Sequence, residues 1–385
     1  GATMEVEKKD VANTSDAIAT VRLRERTYLG MFEHKKESVP MLIKYLIVEL
    51  EPKLAATLTP GLPAYILFMC LRHDDHINDD EKVKLLLTSV INGIKKVVKK
   101  YSDDLERITL LRNFDLSDYR QVFSDLAVWN YQALLKRIMD LIQPQIVPAI
   151  LEHEAIAGLT ASKPSGLRGR SSSIAHEAED RKTSQHSLDD LVETLNSFLR
   201  ILKLHSVDHE LIKQIIRQLF YFLCAHTLNN LLLRKDMCNW SKGMQIRYNL
   251  NQLEQWLRDN SLQDSRAPDA LEPVIQASQL LQARKTDSDV NSICDMCPKM
   301  TMAQIIKILN MYTPVDDFEE RVPPAFIRKI QTKLKQRAQG KTPSSTLLMD
   351  TKFSYPVTFP FNASSVALET IILPEQLHLN FLIRH

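Results

Sequence analysis

The chain has 385 residues, of which 44% are hydrophobic and only nine are glycine, and its formal net charge is +2. The length predicts two lobes with cores of normal size, while the scarcity of glycine argues against an all-β fold and against phosphate-binding loops. The small net charge argues against a nucleic-acid-binding protein. Five scattered cysteines without a secretory signal are expected in a reducing cytosol.

The first half of the chain carries a series of helical patterns. Residues 1–20 are expected to combine a tag remnant, Gly1–Met4, with a loose polar segment. Apolar residues at helical spacing begin at Val21 and define a predicted first lobe, residues 21–198. Residues 160–187, rich in serine, glycine and charged side chains, predict a flexible loop inside it. The predicted helices are Pro40–Glu51, Ala64–Arg72, Asn78–Lys100 and Asp118–Ile142.

The stretch Leu211–Leu257 is expected to organise the second lobe, residues 199–345. Its two halves carry apolar residues at every fourth position, which predicts two helices buried on more than one side. A charged corner between them contains Lys235 and Lys242. We interpret this arrangement as a scaffold that presents a surface and not as a catalytic pocket. Further predicted helices are Leu271–Leu281, Thr301–Leu309 and Ala325–Arg337.

The last segment, residues 346–385, has a different texture. It is rich in β-branched and aromatic residues and contains Pro356, Pro360 and Pro374. Prolines at this density exclude a long helix. An extended apolar segment must pack against another part of the protein, here the helical body. The sequence therefore predicts an all-α fold of two lobes with an extended C-terminal strap.

One cluster of residues has the chemistry of a metal site. His73, Asp74, Asp75 and His76 are ligand types that a helical metal-dependent hydrolase uses to hold a divalent ion and a water. Adjacent residues on one turn cannot all face one ion, so a polar corner between helices is the favoured interpretation. No metal or cofactor is therefore expected.

Other motifs are weaker. Cys294 and Cys297 have the spacing of half a zinc site or a redox pair, but two buried cysteines on a helix explain them better. Gly340–Thr342 imitates the end of a phosphate-binding loop, but the earlier glycine is replaced by Lys335. In RGRSSSI, residues 168–174, each arginine precedes a serine by three positions. That spacing suits basophilic kinases, and a plain soluble linker explains it equally well.

Seven strings of this chain are long enough to compare with a known family. The strings are PGLPAYILFMCLRH (60–73), LLTSVINGIKKVVKK (86–100), NFDLSDYRQVFSDLAV (113–128), TLNNLLLRKDMCNWSKGMQIRYN (227–249), LEPVIQASQLLQ (271–282), LNMYTPVDDFEERV (309–322) and PVTFPFN (356–362). They resemble the globular tail, or cargo-binding domain, of class V myosins, and the stretch Leu211–Leu257 falls in the family's dilute domain. The resemblance covers almost the whole chain.

This resemblance implies an all-α fold of two helical lobes, similar to vesicle-tethering subunits, with the strap crossing the first lobe. It implies no enzyme activity, because the ATPase motor of the family lies elsewhere. It also implies a monomeric isolated domain, without membrane insertion, that reaches vesicles and the actin cytoskeleton through partners. A Rab-binding tethering subunit would share the fold but would not inhibit a motor head.

The implied partners are Rab GTPases, vesicle adaptor proteins and the chain's own motor head. Relatives contact Rab proteins through the tyrosine of an RYN string and the last glutamine of an LLQ string, which are Tyr248 and Gln282 here. Relatives contact the motor head through two lysines that correspond to Lys235 and Lys307. Adaptors dock on the first lobe.

The resemblance also implies a kinase-regulated serine among Ser171, Ser172 and Ser173, although Gly169 replaces a basic residue that relatives usually carry. A larger departure follows Leu111, because relatives carry a further helix and loop before the NFDL string.

Overall fold

The computed structural model describes residues 29–99, 116–156, 187–314, 321–338, 344–360 and 366–385. The predicted all-α fold is confirmed, since regular structure in these ranges is almost entirely helical. None of the described helices is long and apolar enough to cross a lipid bilayer. In chain order the elements are β1 Phe32–Glu33, α1 Val39–Ile43, α2 Pro52–Ala55, α3 Leu62–His76, α4 Asp80–Lys99, α5 Leu116–Val147, α6 Ser187–Leu204, α7 His209–Leu231, α8 Trp240–Asp259, α9 Ala267–Gln282, α10 Val290–Met296, α11 Met302–Met311, α12 Pro324–Arg337 and β2 Ile383–Arg384.

Two of these helices continue as π-helices. Lys44–Val48 follows α1, and Pro148–Glu152 follows α5. Pro144 lies inside α5 without ending it. The helix that the sequence predicts to end at Ile142 therefore runs on to Val147.

The chain divides into two compact units. The first comprises Gly1–Asn130 together with Asn362–His385, and the second comprises Tyr131–Phe361. This division differs from the predicted boundary after residue 198 and falls inside α5. The physical reason is that the apolar side chains of α5 from Tyr131 onward are buried in the same core as those of α6 and α7.

The first unit is closed by the end of the strap. Its core joins residues of α1, α3 and α4 to four apolar side chains of the strap: Ile371, Leu377, Leu379 and Leu382. The strand β2 pairs antiparallel with β1, and Glu33 lies opposite Ile383. The expected strap over the first lobe is therefore present in residues 366–385.

The second unit is built around α7. The predicted helix pair in Leu211–Leu257 is present as α7 and α8, and α9 packs against both of them. The buried side chains of α7 point in several directions, because Ile212, Phe220 and Leu228 are all fully or almost fully buried. A helix that is apolar on more than one face must be covered on more than one side.

Residues 344–360 of the strap cover one side of α7. Their extended backbone has no strand partner among the described residues, so its polar groups need other hydrogen bonds. The amide of Gln214 bonds to both the N–H and the C=O of Thr358 at 2.8 and 2.7 Å. Asn229 bonds in the same two-sided way to Met349 at 2.8 and 2.9 Å.

Gln218 holds two further backbone groups of the strap. Its Oε1 accepts from the N–H of Tyr355 at 2.8 Å, and its Nε2 donates to the C=O of Phe353 at 2.8 Å. The three amides lie along one face of α7 and replace the neighbouring strand that an extended segment normally requires.

Helices α8 and α9 approach each other closely at Gly243. A Cβ atom at this position would lie 2.8 Å from Cβ of Leu281 and 3.0 Å from the C=O of Ser278. Neither neighbour is the free end of a flexible side chain, so the helices must separate to admit one.

We predict that Gly243→Ala lowers the free energy of unfolding by about 1–3 kcal/mol, the usual cost of overpacking a core. Urea denaturation of the purified chain measures this change. The matched control is Gln252→Ala, an exposed position on the same helix, which should stay within about 0.5 kcal/mol of wild type. Equal midpoints for both variants would contradict the close approach.

Candidate binding surfaces

The corner between α7 and α8 is a fixed turn. After α7 ends at Leu231, a 3-10 turn spans Lys235–Met237, and the side chain of Asn239 accepts a hydrogen bond from the N–H of Lys242 at 2.8 Å. The C=O of Cys238 accepts from the N–H of Thr313 at 2.8 Å. The segment that follows α11 is thereby tied to the corner.

Two of the basic residues at this corner are neutralised by carboxylates. Arg234 donates to Glu152 at 2.5 Å and to Asp236 at 3.0 Å. Lys242 lies 2.8 Å from Glu154. These cations hold the turn against the residues that follow α5, and their charge is not presented outward.

Lys235 and Lys307 differ from these two cations. Lys235 is exposed and Lys307 is half-buried on α11, and neither forms an ion pair with any part of the chain that the structure describes. Both flank Cys238. The N–H of Cys238 donates to the C=O of Lys235 at 3.1 Å. Burial raises the pKa of the Cys238 thiol to about 12, and the nearby charge of Lys307 acts in the opposite direction. The structure thus places both lysines near Cys238.

Tyr248 and Gln282 lie on adjoining helices. Tyr248 is 40% exposed on α8. Gln282 is the last residue of α9, and its Nε2 donates to the C=O of Gly243 at 3.1 Å and of Ser278 at 3.1 Å. Tyr248 follows Gly243 by five positions on α8, about 7.5 Å along the axis and about 140° around it. Gln282 therefore helps to hold α8 against α9, while Tyr248 lies on a different face of α8.

The structure separates the four residues once considered as a metal site. They form the last turn of α3 and not the corner between helices that the sequence analysis favoured. Asp75 and His76 are exposed, whereas His73 and Asp74 are buried.

Asp74 belongs to a buried ion network. Its carboxylate accepts from Nε2 of His34 at 2.9 Å and lies 3.2 Å from Nζ of Lys82. Burial raises the pKa of Asp74, but these hydrogen bonds and charges outweigh burial and leave the pKa below its ordinary value. Both carboxylate oxygens thus face these two partners. Among the described residues, His73 instead groups with Glu33 and His385.

Cys294 and Cys297 are both buried free thiols. Burial raises the pKa of each, that of Cys297 to about 12. A protonated thiol is neither a good nucleophile nor a metal ligand. This agrees with the structural interpretation that the sequence favoured.

An apolar groove in the first unit was missed by the sequence analysis. It has a volume of about 560 Å³. Phe68, which is 52% exposed, stands at this groove. One feature of the sequence could have predicted the groove, since α3 carries more apolar residues than one buried face requires. The lining residues are Leu46, Ile47, Pro63, Ala64, Leu67, Phe68, Leu71, Leu87, Val90, Ile94, Val97, Val98, Phe123 and Asn130.

Five predictions fall outside the described residues. They are the loose segment 1–20, residues 160–186 of the predicted flexible loop, the serines Ser171, Ser172 and Ser173, the phosphate-loop imitation Gly340–Thr342, and the departure after Leu111.

Comparison with known proteins places the chain in a family. Residues 214–316 match the DIL domain. Unconventional myosin-Va of Gallus gallus is 51% identical over 396 residues, which cover 94% of this chain and 21% of that protein. The chain therefore spans about a fifth of the length of the curated relatives it matches.

Two solved structures share the fold. The yeast myosin 5 cargo binding domain has a TM-score of 0.57 at 18% identity, covering 89% of this chain and 97% of that chain. Myo2-GTD in complex with Mmr1 also has a TM-score of 0.57, at 19% identity, covering 89% of this chain and 93% of that chain. At such identities the likeness establishes the fold alone.

Proposed function

Since the chain belongs to the globular tails of class V myosins, we propose that it captures vesicles through Rab GTPases and adaptor proteins and folds back to inhibit its motor head. The region is a cargo-binding tail and not a catalytic head, so it is not an enzyme. The hydrolase alternative is thereby set aside. Association with vesicles and actin follows from the proposed partners.

The observation that carries the head contact is the contrast in charge compensation at the corner. Arg234 and Lys242 meet carboxylates of their own chain, whereas Lys235 and Lys307 meet none among the described residues. These two uncompensated cations near Cys238, called the corner lysines below, would together form a small positive surface. Such a surface attracts carboxylates of a partner, and salt weakens the attraction.

We predict that Lys235→Ala combined with Lys307→Ala relieves the inhibition of a motor head by added tail. The half-inhibitory tail concentration should rise at least about tenfold, because the head would keep unpaired carboxylates. Steady-state ATPase titrations at two salt concentrations measure this effect.

The matched control replaces Lys203 and Lys352, which are exposed cations elsewhere in the second unit. It changes the net charge equally and should leave inhibition intact. Inhibition that survives the corner change, or that falls equally in the control, would refute the assignment.

The proposed Rab contact rests on Tyr248. Its ring is half-exposed on a helix whose other face is locked to α9. Rigid aromatic side chains of this kind dominate binding energy because they bury large area at little entropic cost. Gln282 would contribute at the edge of the same surface while it holds Gly243.

We predict that Tyr248→Glu weakens binding to a GTP-loaded Rab by at least about 30-fold, the loss expected of an interface residue worth about 2 kcal/mol. Tyr248→Phe, which keeps the ring, should stay within about threefold of wild type. Surface plasmon resonance against a panel of Rab proteins measures both. If every Rab that binds the wild type binds Tyr248→Glu equally well, the proposed contact is wrong.

The proposed adaptor site is the apolar groove of the first unit. An amphipathic segment can lay its apolar face in such a groove, which is a common mode of peptide recognition. Myo2-GTD has been solved with Mmr1, which supports protein capture by this kind of domain. The exposure of Phe68 gives a partner a large apolar surface to cover.

We predict that Phe68→Asp abolishes binding of adaptor segments to the tail while the domain stays folded, because this side chain is already half in solvent. The matched control is Leu85→Asp. Leu85 is similarly exposed on α4 but does not line the groove. Fluorescence anisotropy with labelled adaptor peptides separates the two. Equal losses in both variants, or none in either, would exclude the groove.

The serines of residues 171–173 complete the proposal as a regulatory segment. Phosphate there would add about two negative charges to a basic sequence. Mass spectrometry of the phosphorylated chain would identify the serine that a basophilic kinase uses.

A further inference from the structure

Three side chains from distant parts of the chain converge in the first unit. Glu33 belongs to β1, His73 lies in the last turn of α3, and His385 follows β2. One potential ligand atom from each lies within 4.8 Å of the others. Neither the proposed partners nor the corner lysines involve these residues.

The backbone holds these residues in place before any ligand is considered. The N–H of His385 donates to the C=O of Met31 at 2.9 Å, and its C=O accepts from the N–H groups of Leu29 and Met31 at 3.0 and 3.1 Å. Glu33 is paired in β1 opposite Ile383. Side chains anchored on fixed backbone suit a coordination site, because little entropy is lost on binding.

The chemistry of the three side chains suits a transition-metal ion. Two imidazoles and one carboxylate form a common ligand set for Zn²⁺, with a fourth position left for water. Nε2 of His385 lies 2.6 Å from the carboxylate of Glu33, and its ring centroid is 4.9 Å from that of His73. Atoms bound to one Zn²⁺ lie about 3.3 Å apart, so side-chain movements of roughly 1 Å are enough.

His73 shows an unusual feature for a buried histidine. Only 5% of the residue is exposed, and its Nδ1 makes no hydrogen bond among the described residues. The nearest carboxylate oxygen, on Asp74, is 3.7 Å away, which is too long for a hydrogen bond. A buried ring nitrogen without a partner normally costs free energy. The imidazole of His73 is thus not fully hydrogen-bonded by the described residues.

Charge and access agree with a cation. With neutral histidines, the surroundings contain two carboxylates, Glu33 and Asp74, and one ammonium, Lys82. The side chains of Glu33 and His385 are 44% and 33% exposed, which leaves a path for an ion.

We propose that Glu33, His73 and His385 bind one Zn²⁺ ion, which ties the end of the strap to β1 and α3. Its role is to fasten residues 383–385 to the first unit, and this role is independent of the partners proposed above.

The test uses the full chain, freed of metal with EDTA, and ZnCl₂ as the probe. Competition with a chromophoric chelator should give one ion bound per chain. At free Zn²⁺ of about 100 times Kd, the Tm should rise by roughly 5 °C or more. Glu33→Gln and His385→Gln, which keep polar side chains of similar size, should each weaken binding at least about tenfold.

His76→Gln is the matched control, because His76 is exposed on the same turn of α3 but lies outside the cluster. Its affinity for Zn²⁺ should equal that of the wild type. The Tm of each variant in EDTA shows whether it folds. If His385→Gln does not fold, Glu33→Gln, which replaces only a half-exposed carboxylate, tests the proposal by itself.

Substitution with Co²⁺ distinguishes this site from one made of cysteines. Imidazole and carboxylate ligands give only weak visible absorption, whereas thiolates add an intense near-ultraviolet charge-transfer band. The proposal is overturned if the wild type binds Zn²⁺ no more tightly than Glu33→Gln, or if the thiolate band accompanies the first bound ion.

Discussion

The requirement that α7 be covered on several faces governs the second unit. A helix with buried side chains such as Ile212, Phe220 and Leu228 cannot lie at a surface, and α9 covers only part of it. The extended segment 344–360 covers another part. It can do so because Gln214, Gln218 and Asn229 satisfy its backbone without a sheet. Apolar packing and hydrogen bonding of the extended backbone therefore both depend on the side chains of α7.

The distribution of charge at that turn separates two roles for basic residues. Arg234 and Lys242 act inside the fold, since they join the corner to the carboxylates that follow α5. Lys235 and Lys307 have no such task among the described residues. Composition alone treats these four cations as one patch. Only the positions of Glu152 and Glu154 divide them, and these residues are more than 75 positions away in sequence.

Much of the fold followed from sequence because periodicity is a local property. The helix pair α7 and α8 and the proline-rich strap were both predicted from residues close together in the chain. The boundary between the units was not, because the residues of α5 after Tyr131 join a core that depends on distant partners. The cluster of Glu33, His73 and His385 was likewise out of reach, since its members come together only when β1 pairs with β2. The groove at Phe68 could not be predicted either, because it depends on how α3 and α4 are placed relative to each other.

The first unit is discontinuous in sequence, since it contains Gly1–Asn130 and Asn362–His385. The residues that pair β1 with β2 are separated by about 350 positions, as the contact of Glu33 with His385 illustrates. A ribosome would therefore release the whole of the second unit before the first could close. During synthesis, the apolar residues of α1, α3 and α4 would stay uncovered until Leu377, Leu379 and Leu382 have been made. Uncovered apolar surface of this kind promotes aggregation, so we expect the first unit to be the aggregation-prone unit of this chain during synthesis.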